Sequence, residues 1–260
     1  MYLLQFVNSM ISIVTDFGDQ FAASQLRAVL ATLAYTGPIN ENHDIKPFAI
    51  SEGAFAIVVM GRFSPKDTIH VGVVDPGVGS KRRGIVIRGK RAWYVGPDNG
   101  LLYPAASKEG IVSAWQLQMK RISEEVSNTF HGRDVFIKAA AFLAAKQTPE
   151  EFGSKKISVS TLKKLLFREG QVLHVDHFGN IKIYWSGDIT VGREMHLRTS
   201  KYIIEAPVVR VFNDVGQGRP LAYMGSHNTL EFAVNLANAS KIYDIHLDDV
   251  LKIEYTEKKS

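Results

Sequence analysis

Thr68–Gly100 reads TIHVGVVDPGVGSKRRGIVIRGKRAWYVGPDNG. Thr68–Val74 is a β-rich apolar run that stops abruptly at Asp75-Pro76-Gly77-Val78-Gly79. Gly84–Arg88 and Arg91–Val95 read as a hairpin pair, and Gly96-Pro97-Asp98-Asn99-Gly100 as a turn. An apolar strand that delivers one acid into a glycine-rich loop suits an α/β sheet, where ligands bind at the carboxyl ends of strands. Upstream, residues 10–16 (MISIVTD) read as a buried strand ending in Asp-Phe-Gly, and residues 20–34 and 50–62 carry helical apolar spacing. Downstream, residues 134–146 read as a strong helix with Asp134 in the first turn and Lys146 in the last, as the macrodipole favours. This alternation predicts an α/β N-terminal domain with a mainly parallel sheet over residues 1–150.

The texture then changes. Residues 151–170 are charged and read as a linker. From Gln171 onward, short β-like runs alternate with Gly, Asn and Asp, which predicts a smaller all-β, barrel-like C-terminal domain over 171–260. No internal repeat or low-complexity tract is visible.

Composition narrows the function classes. Lys and Arg number 31 and Asp and Glu 26, so 31 − 26 gives a net charge of +5; hydrophobic residues make up 45% and charged residues 22%. These values suit a globular chain. The excess of base is modest and forms no concentrated stripe, so no nucleic-acid partner is expected. No stretch approaches the ~18 consecutive apolar residues of a membrane span. Cysteine is absent, which removes thiolate nucleophiles, disulfides and Cys-ligated metals, and nothing asks for an oxidising compartment. The opening MYLLQFVNSM has no basic segment and too short an apolar core for a signal peptide, and Met10 is a second candidate start.

Six segments carry candidate chemistry. Asp16, in Thr15-Asp16-Phe17-Gly18-Asp19, reads either as an acceptor for a ribose diol or as a helix N-cap. Neither G-x-G-x-x-G nor G-x-x-x-x-G-K-[ST] occurs, so common dinucleotide and P-loop readings lack support. Asp75 sits in a permissive Gly loop, and Arg82 can pair with it by a forked hydrogen bond; the alternative is a turn capped by a surface ion pair. Lys81, Arg82, Arg83, Arg88, Lys90 and Arg91 read as a solvated hairpin face, and Gly96–Gly100 as a structural turn. His131, beside Gly132 at a helix start, reads either as a functional residue that meets the Asp75 loop across a cleft or as a structural histidine. In an extended strand His174 and Asp176 share a face while His177 points away, so no metal is expected there. Met224–Asn235 reads as a hairpin.

Taken in order, TDFGD (15–19), NHDI (42–45), VVDPGVGSKRR (73–83), GPDNG (96–100), TFHGRD (129–134), DHFGN (176–180) and the Gly225-Ser226, Leu230-Glu231 and Ala233-Val234-Asn235 positions resemble the S-adenosylmethionine (SAM) hydroxide adenosyltransferase family. That family also contains the fluorinases and chlorinases. The resemblance spans residues 11–255. It implies hydrolysis of SAM to adenosine and L-methionine, with SAM as substrate, no cofactor, and a homotrimer whose sites lie at subunit interfaces. The chain is expected in the cytoplasm.

Residue by residue, the resemblance implies that Asp75, Arg82 and His131 form the catalytic triad. Asp16 would hold the ribose hydroxyls, Asp19 would face the methionine ammonium, and Asp176 and Ser226 would lie near the amino-acid end. Phe48 would line ribose and adenine, Asn180 and backbone near Leu236 would recognise adenine, and Phe212 would stack on it. Halogenases carry an aromatic hydroxyl residue at the Asp75 place and a Ser at the Gly132 place; this chain keeps Asp and Gly, so the resemblance favours water over halide. Where halogenases place an Arg for the substrate carboxylate, this chain has His227. The alternatives are a SAM-dependent halogenase and a non-catalytic adenosine- or SAM-binding protein.

Overall fold

A computed structural model describes residues 9–18 and 20–256. The chain divides between Leu165 and Leu166 into two compact units. In the first, the elements in chain order are β1 (Ile11–Thr15), α1 (Gln20–Thr32), β2 (Ile39–Asn42), α2 (Ile50–Phe63), β3 (Ile69–Val73), β4 (Gly84–Gly89), β5 (Trp93–Pro97), α3 (Tyr103–Glu109), β6 (Ile111–Gln116), α4 (Met119–Ile122), α5 (Ile137–Ala144) and β7 (Lys155–Ile157).

These strands form one sheet in the order β2-β1-β3-β5-β4-β6-β7. The pairs β2-β1, β1-β3 and β3-β5 are parallel; β5-β4, β4-β6 and β6-β7 are antiparallel. The sheet is therefore mixed, which corrects the mainly parallel expectation. The reason is local: the few residues between β4 and β5 can only reverse the chain, whereas a parallel crossover needs a dozen or more.

Every residue of β1 and β3 is buried, as strands covered on both faces require. On one face Ile11, Ile13, Ile69, Val71 and Val73 pack with Leu26 and Leu30 of α1 and with Ile137 of α5. Side chains in a strand alternate faces, and α2 covers the other side of β1 and β3, packed against α3. Each fully buried Leu or Ile contributes about 1.5–3 kcal/mol relative to exposure.

The expected long helix at 134–146 is shorter. Gly132–Phe136 form a π-helical turn, and regular α5 follows from Ile137 to Ala144. Lys155–Ile157, inside the stretch read as linker, form the edge strand β7 of the first unit's sheet.

The second unit contains β8 (Val172–Val175), β9 (Ile181–Ile183), β10 (Glu194–Arg198), β11 (Ile203–Pro207), β12 (Pro220–Met224), β13 (Leu230–Val234), α6 (Ala239–Tyr243) and β14 (Lys252–Thr256). Strand order is β11-β10-β14 in one antiparallel sheet and β12-β13-β9-β8 in another. Single bridges, Val208 to Ala222 and Gln171 to Val250, link their edges. The barrel-like domain of the sequence reading is thus observed as two sheets rather than one continuous ladder. Its core gathers Ile181, Ile183, Met195, Leu197, Leu230 and Phe232.

Candidate active site

The Asp75 loop begins where β3 ends. Val78 N–H donates to Asp75 O and Ser80 N–H to Gly77 O, so two tight turns fold the chain back on itself. Gly79 has φ +76, and a Cβ there would stand 2.4 Å from Asn128 O, so only glycine fits. The reversal brings Arg82 onto Asp75. Arg82 Nε donates to Oδ1 and Oδ2 of Asp75, both at 2.9 Å, and Nη2 adds a second bond to Oδ2. The side chains are 10% and 5% exposed, so the pair is nearly dry. The guanidinium also lies over the Phe136 ring, 5.2 Å from its centroid. The forked pair read from the sequence is present, and it is not a surface ion pair.

His131 is the last residue before the π-helical turn. The turn is anchored by Asp134, which accepts from Ser127 N–H and from Arg133. Burial opposes ionisation of Asp134, but these bonds outweigh it and hold its carboxyl below the usual range. The backbone can pass close to β3 because residue 132 is glycine: a Cβ there would meet Val73 Cγ1 at 3.2 Å and Phe17 Cζ at 3.3 Å.

Nδ1 of His131 lies 2.8 Å from Arg82 Nη2. Arginine has donors and no acceptor, so Nδ1 must be the lone-pair nitrogen and the neutral ring carries its proton on Nε2. Burial first, and then the Arg82 guanidinium, hold the imidazole below its ordinary pKa; Asp75 and Asp134 oppose them. His131 is therefore a neutral hydrogen-bond donor at neutral pH.

Asp16 follows β1, and its Oδ2 accepts from Phe48 N–H at 2.9 Å. The loop is fixed further by Gly18 N–H to His43 O and by Thr15 Oγ1 to His43 Nδ1, at 2.9 and 2.8 Å. Phe48 has φ +66 and is 71% exposed, a strained conformation for a bulky residue. Asp16, Phe48, Asp75, His131 and Gly132 line one cavity of about 110 Å³. Arg82 stands behind it through Asp75 and His131. Asp19 lies outside the described residues.

In the second unit, Asn180, Phe212 and Leu236 line one cavity of about 700 Å³ with Phe178, Asn235 and Asn238. Leu236, 78% exposed, has φ +55. Asp176 is not in that lining. Its Oδ1 accepts from the Phe178 and Asn180 N–H groups, and its Oδ2 from Asn180 Nδ2, so it shapes the loop that presents Asn180. Ser226 is exposed in the turn between β12 and β13, also outside the lining.

The sequence reading missed several partners. Arg83 and Arg88, read as solvated, pair with Asp98 and Asp67. Asp98, read as a turn residue, is buried and also accepts from Lys163 N–H. Glu231 is buried with Lys182 and the Tyr223 hydroxyl as partners. Burial and then the Glu231 contact raise the Tyr223 pKa. The visible signal was two consecutive arginines ahead of a second Asp-bearing turn. Among the described residues no group of His, Asp and Glu is placed to hold a metal.

Comparisons with known proteins place the chain in a family. Residues 11–153 match the model of the SAM hydroxide adenosyltransferase N-terminal domain, and residues 170–252 that of its C-terminal domain. A Salinispora tropica protein named (R)-S-adenosyl-L-methionine hydrolase is 36% identical over 94% of this chain and 97% of its own length. A fluorinase from an Actinoplanes species is more distant, at 26% over 92% and 95%. A solved structure from Thermotoga maritima superposes with TM-score 0.87 at 27% identity, covering 94% of this chain and all of that one. With both domain models matched in order across most of its length, the chain belongs to the SAM hydroxide adenosyltransferase family.

Proposed function

We propose that this chain hydrolyses SAM to adenosine and L-methionine, with Asp75, Arg82 and His131 managing the attacking water. The observation that carries the reading is the buried Asp75–Arg82–His131 network facing the cavity that Asp16 and Phe48 also line.

The sulfonium of SAM leaves as a neutral thioether. Oxygen of water forms the new bond to ribose C5′ while the C5′–S bond breaks and its electron pair stays on sulfur. One proton must leave the water. His131 has no free lone pair for it: Nδ1 faces Arg82 and Nε2 carries hydrogen. Asp75 is then the acceptor, because its carboxylate has more lone-pair sites than its bonds to Arg82 occupy. His131 Nε2–H orients the water, and Arg82 offsets charge developing around it. Alignment of the nucleophile is worth up to ~7–11 kcal/mol. In a dry cleft, the attraction between a developing hydroxide and the sulfonium exceeds its value in water.

The remaining assignments belong to the same proposal. Asp16 holds the ribose diol, and Asp19 faces the methionine ammonium with Asp176 and Ser226 near that end. Asn180, Phe212 and Leu236 hold adenine. A cavity near 110 Å³ is smaller than a whole-ligand pocket of roughly 300–1,000 Å³, whereas one near 700 Å³ falls within that range. The larger cavity therefore suits adenine, and the smaller one the reacting centre. A homotrimer acting in the cytoplasm completes the reading, and light scattering at three times the chain mass tests the assembly.

The deciding experiment incubates pure protein with SAM in ¹⁸O-water and analyses the adenosine by mass spectrometry. Label in the 5′-hydroxyl is expected. Unlabelled adenosine, or SAM consumed only with added halide, overturns the hydrolase reading.

A pH profile tests the His131 role. Its imidazole titrates below its ordinary pKa of about 6.5, and protonation would put hydrogen on the nitrogen that faces Arg82. Activity should therefore persist at neutral pH and fall only as pH drops below about 6.5. An acid limb centred above that value contradicts the assignment.

A further inference from the structure

Asn99 uses both ends of its amide. Oδ1 accepts from Leu101 N–H at 3.1 Å, which closes the Gly96–Gly100 turn. Nδ2 donates to Val74 O at 2.8 Å. The partners fix the orientation of the amide, since an N–H must meet oxygen and a carbonyl must meet N–H. Val74 is buried and immediately precedes Asp75. The registered pairing of β3 with β5 ends at Val71 and Val95, so a side chain supplies the Val74 carbonyl with its partner.

The neighbours of Asn99 turn this bond into part of a closed ring. Arg82 clamps Asp75, and the adjacent Arg83 clamps Asp98, with Nε to Oδ2 at 2.9 Å. Asn99, adjacent to Asp98, reaches back to Val74, adjacent to Asp75. Three peptide links alternate with three side-chain links. Asp98 is held separately by Lys163 N–H, so the turn has an anchor that does not depend on Asn99.

We infer that Asn99 is a positioning residue for the reaction: its bond to Val74 O sets where β3 ends, and so where Asp75, Arg82 and His131 stand. This rests on the hydrolase reading for its kinetic consequence, though not for its geometric one. Asn99 touches no reacting atom in this scheme.

Asn99→Asp separates the two ends of the amide. It keeps an acceptor for Leu101 N–H and loses the donor to Val74 O. The expected result is a folded protein whose kcat falls roughly ten- to hundredfold, since a displacement near 1 Å can cost about 10²-fold. KM should stay within about threefold, and the ¹⁵N resonance of His131 Nδ1 should move because its bond to Arg82 shifts. Asn99→Ser, whose hydroxyl can serve the turn but is too short for Val74 as well, makes the same test if the Asp variant does not fold. Native kcat with an unmoved His131 resonance in the folded variant overturns the inference and leaves Asn99 a turn residue. Wild-type protein that does not hydrolyse SAM overturns the functional reading instead, and the His131 resonance still decides the Val74 bond.

Discussion

Asp75→Asn lowers kcat for SAM hydrolysis by roughly 10²–10⁴-fold, the range of positioned acid–base assistance, while KM stays within about tenfold. Asparagine preserves the shape of the side chain and one acceptor for Arg82. What disappears is the group able to take the proton of water, and the tautomer set on His131 leaves no substitute beside it. His131→Ala should fall into the same range by removing the donor that orients the water. The double variant should be little worse than either single one, because groups that act as a unit are far from additive. Steady-state kinetics on the three variants checks this, with circular dichroism confirming the fold. Near-native kcat in Asp75→Asn would sink the proton-acceptor assignment.

Arg82→Ala abolishes activity and also destabilises the protein. Removing one partner of a buried pair costs about 3–5 kcal/mol, because the other charge is left without compensation. Here the orphan is Asp75, 5% exposed, and the Phe136 ring loses its guanidinium cover as well. The expected fall in melting temperature is roughly 10 °C for a unit of this size. His131 supplies an independent reading. Arg82 lowers its pKa and Asp75 raises it, so deleting Arg82 must move the imidazole titration upward. Arg82→Lys should recover part of the stability and little of the activity, since one ammonium cannot reproduce the fork that reaches both Asp75 and Nδ1 of His131. An unmoved His131 titration in Arg82→Ala would show that the contact is not made in solution.

Strands β1 and β3 were legible because they are buried on both faces and are rich in Ile and Val, with only Ser12, Thr15, His70 and Gly72 interrupting them. β2 (INEN) and β7 (KKI) escaped notice. Each is an edge strand with exposed polar or charged side chains, which suits an edge and erases the hydrophobic signal. Propensity favoured a plain helix over residues 134–146, whereas the backbone opens into a π-helical turn at Gly132–Phe136, where such turns often accompany function. The Asp75–Arg82 pair was readable because both residues belong to one short loop. Asp16 and Phe48, 32 residues apart, are met only in the fold; His131 was expected near the Asp75 loop, but its specific bond to Arg82, 49 residues away, emerges only in the fold. Ser226, named through family resemblance, stands outside the cavity that gathers Asn180, Phe212 and Leu236.

The amino-acid order alone determined which residue types end each buried strand, where the glycines permit a reversal, and that the last third of the chain turns β-rich. Those properties depend on neighbours a few positions apart, and periodicity encodes them. Only the tertiary structure decided that the first sheet is mixed, that His131 bears its proton on Nε2, and that Asn99 holds the carbonyl before Asp75. Periodicity reports which side chains leave water, whereas a hydrogen-bond partner is chosen by packing among residues the chain keeps far apart.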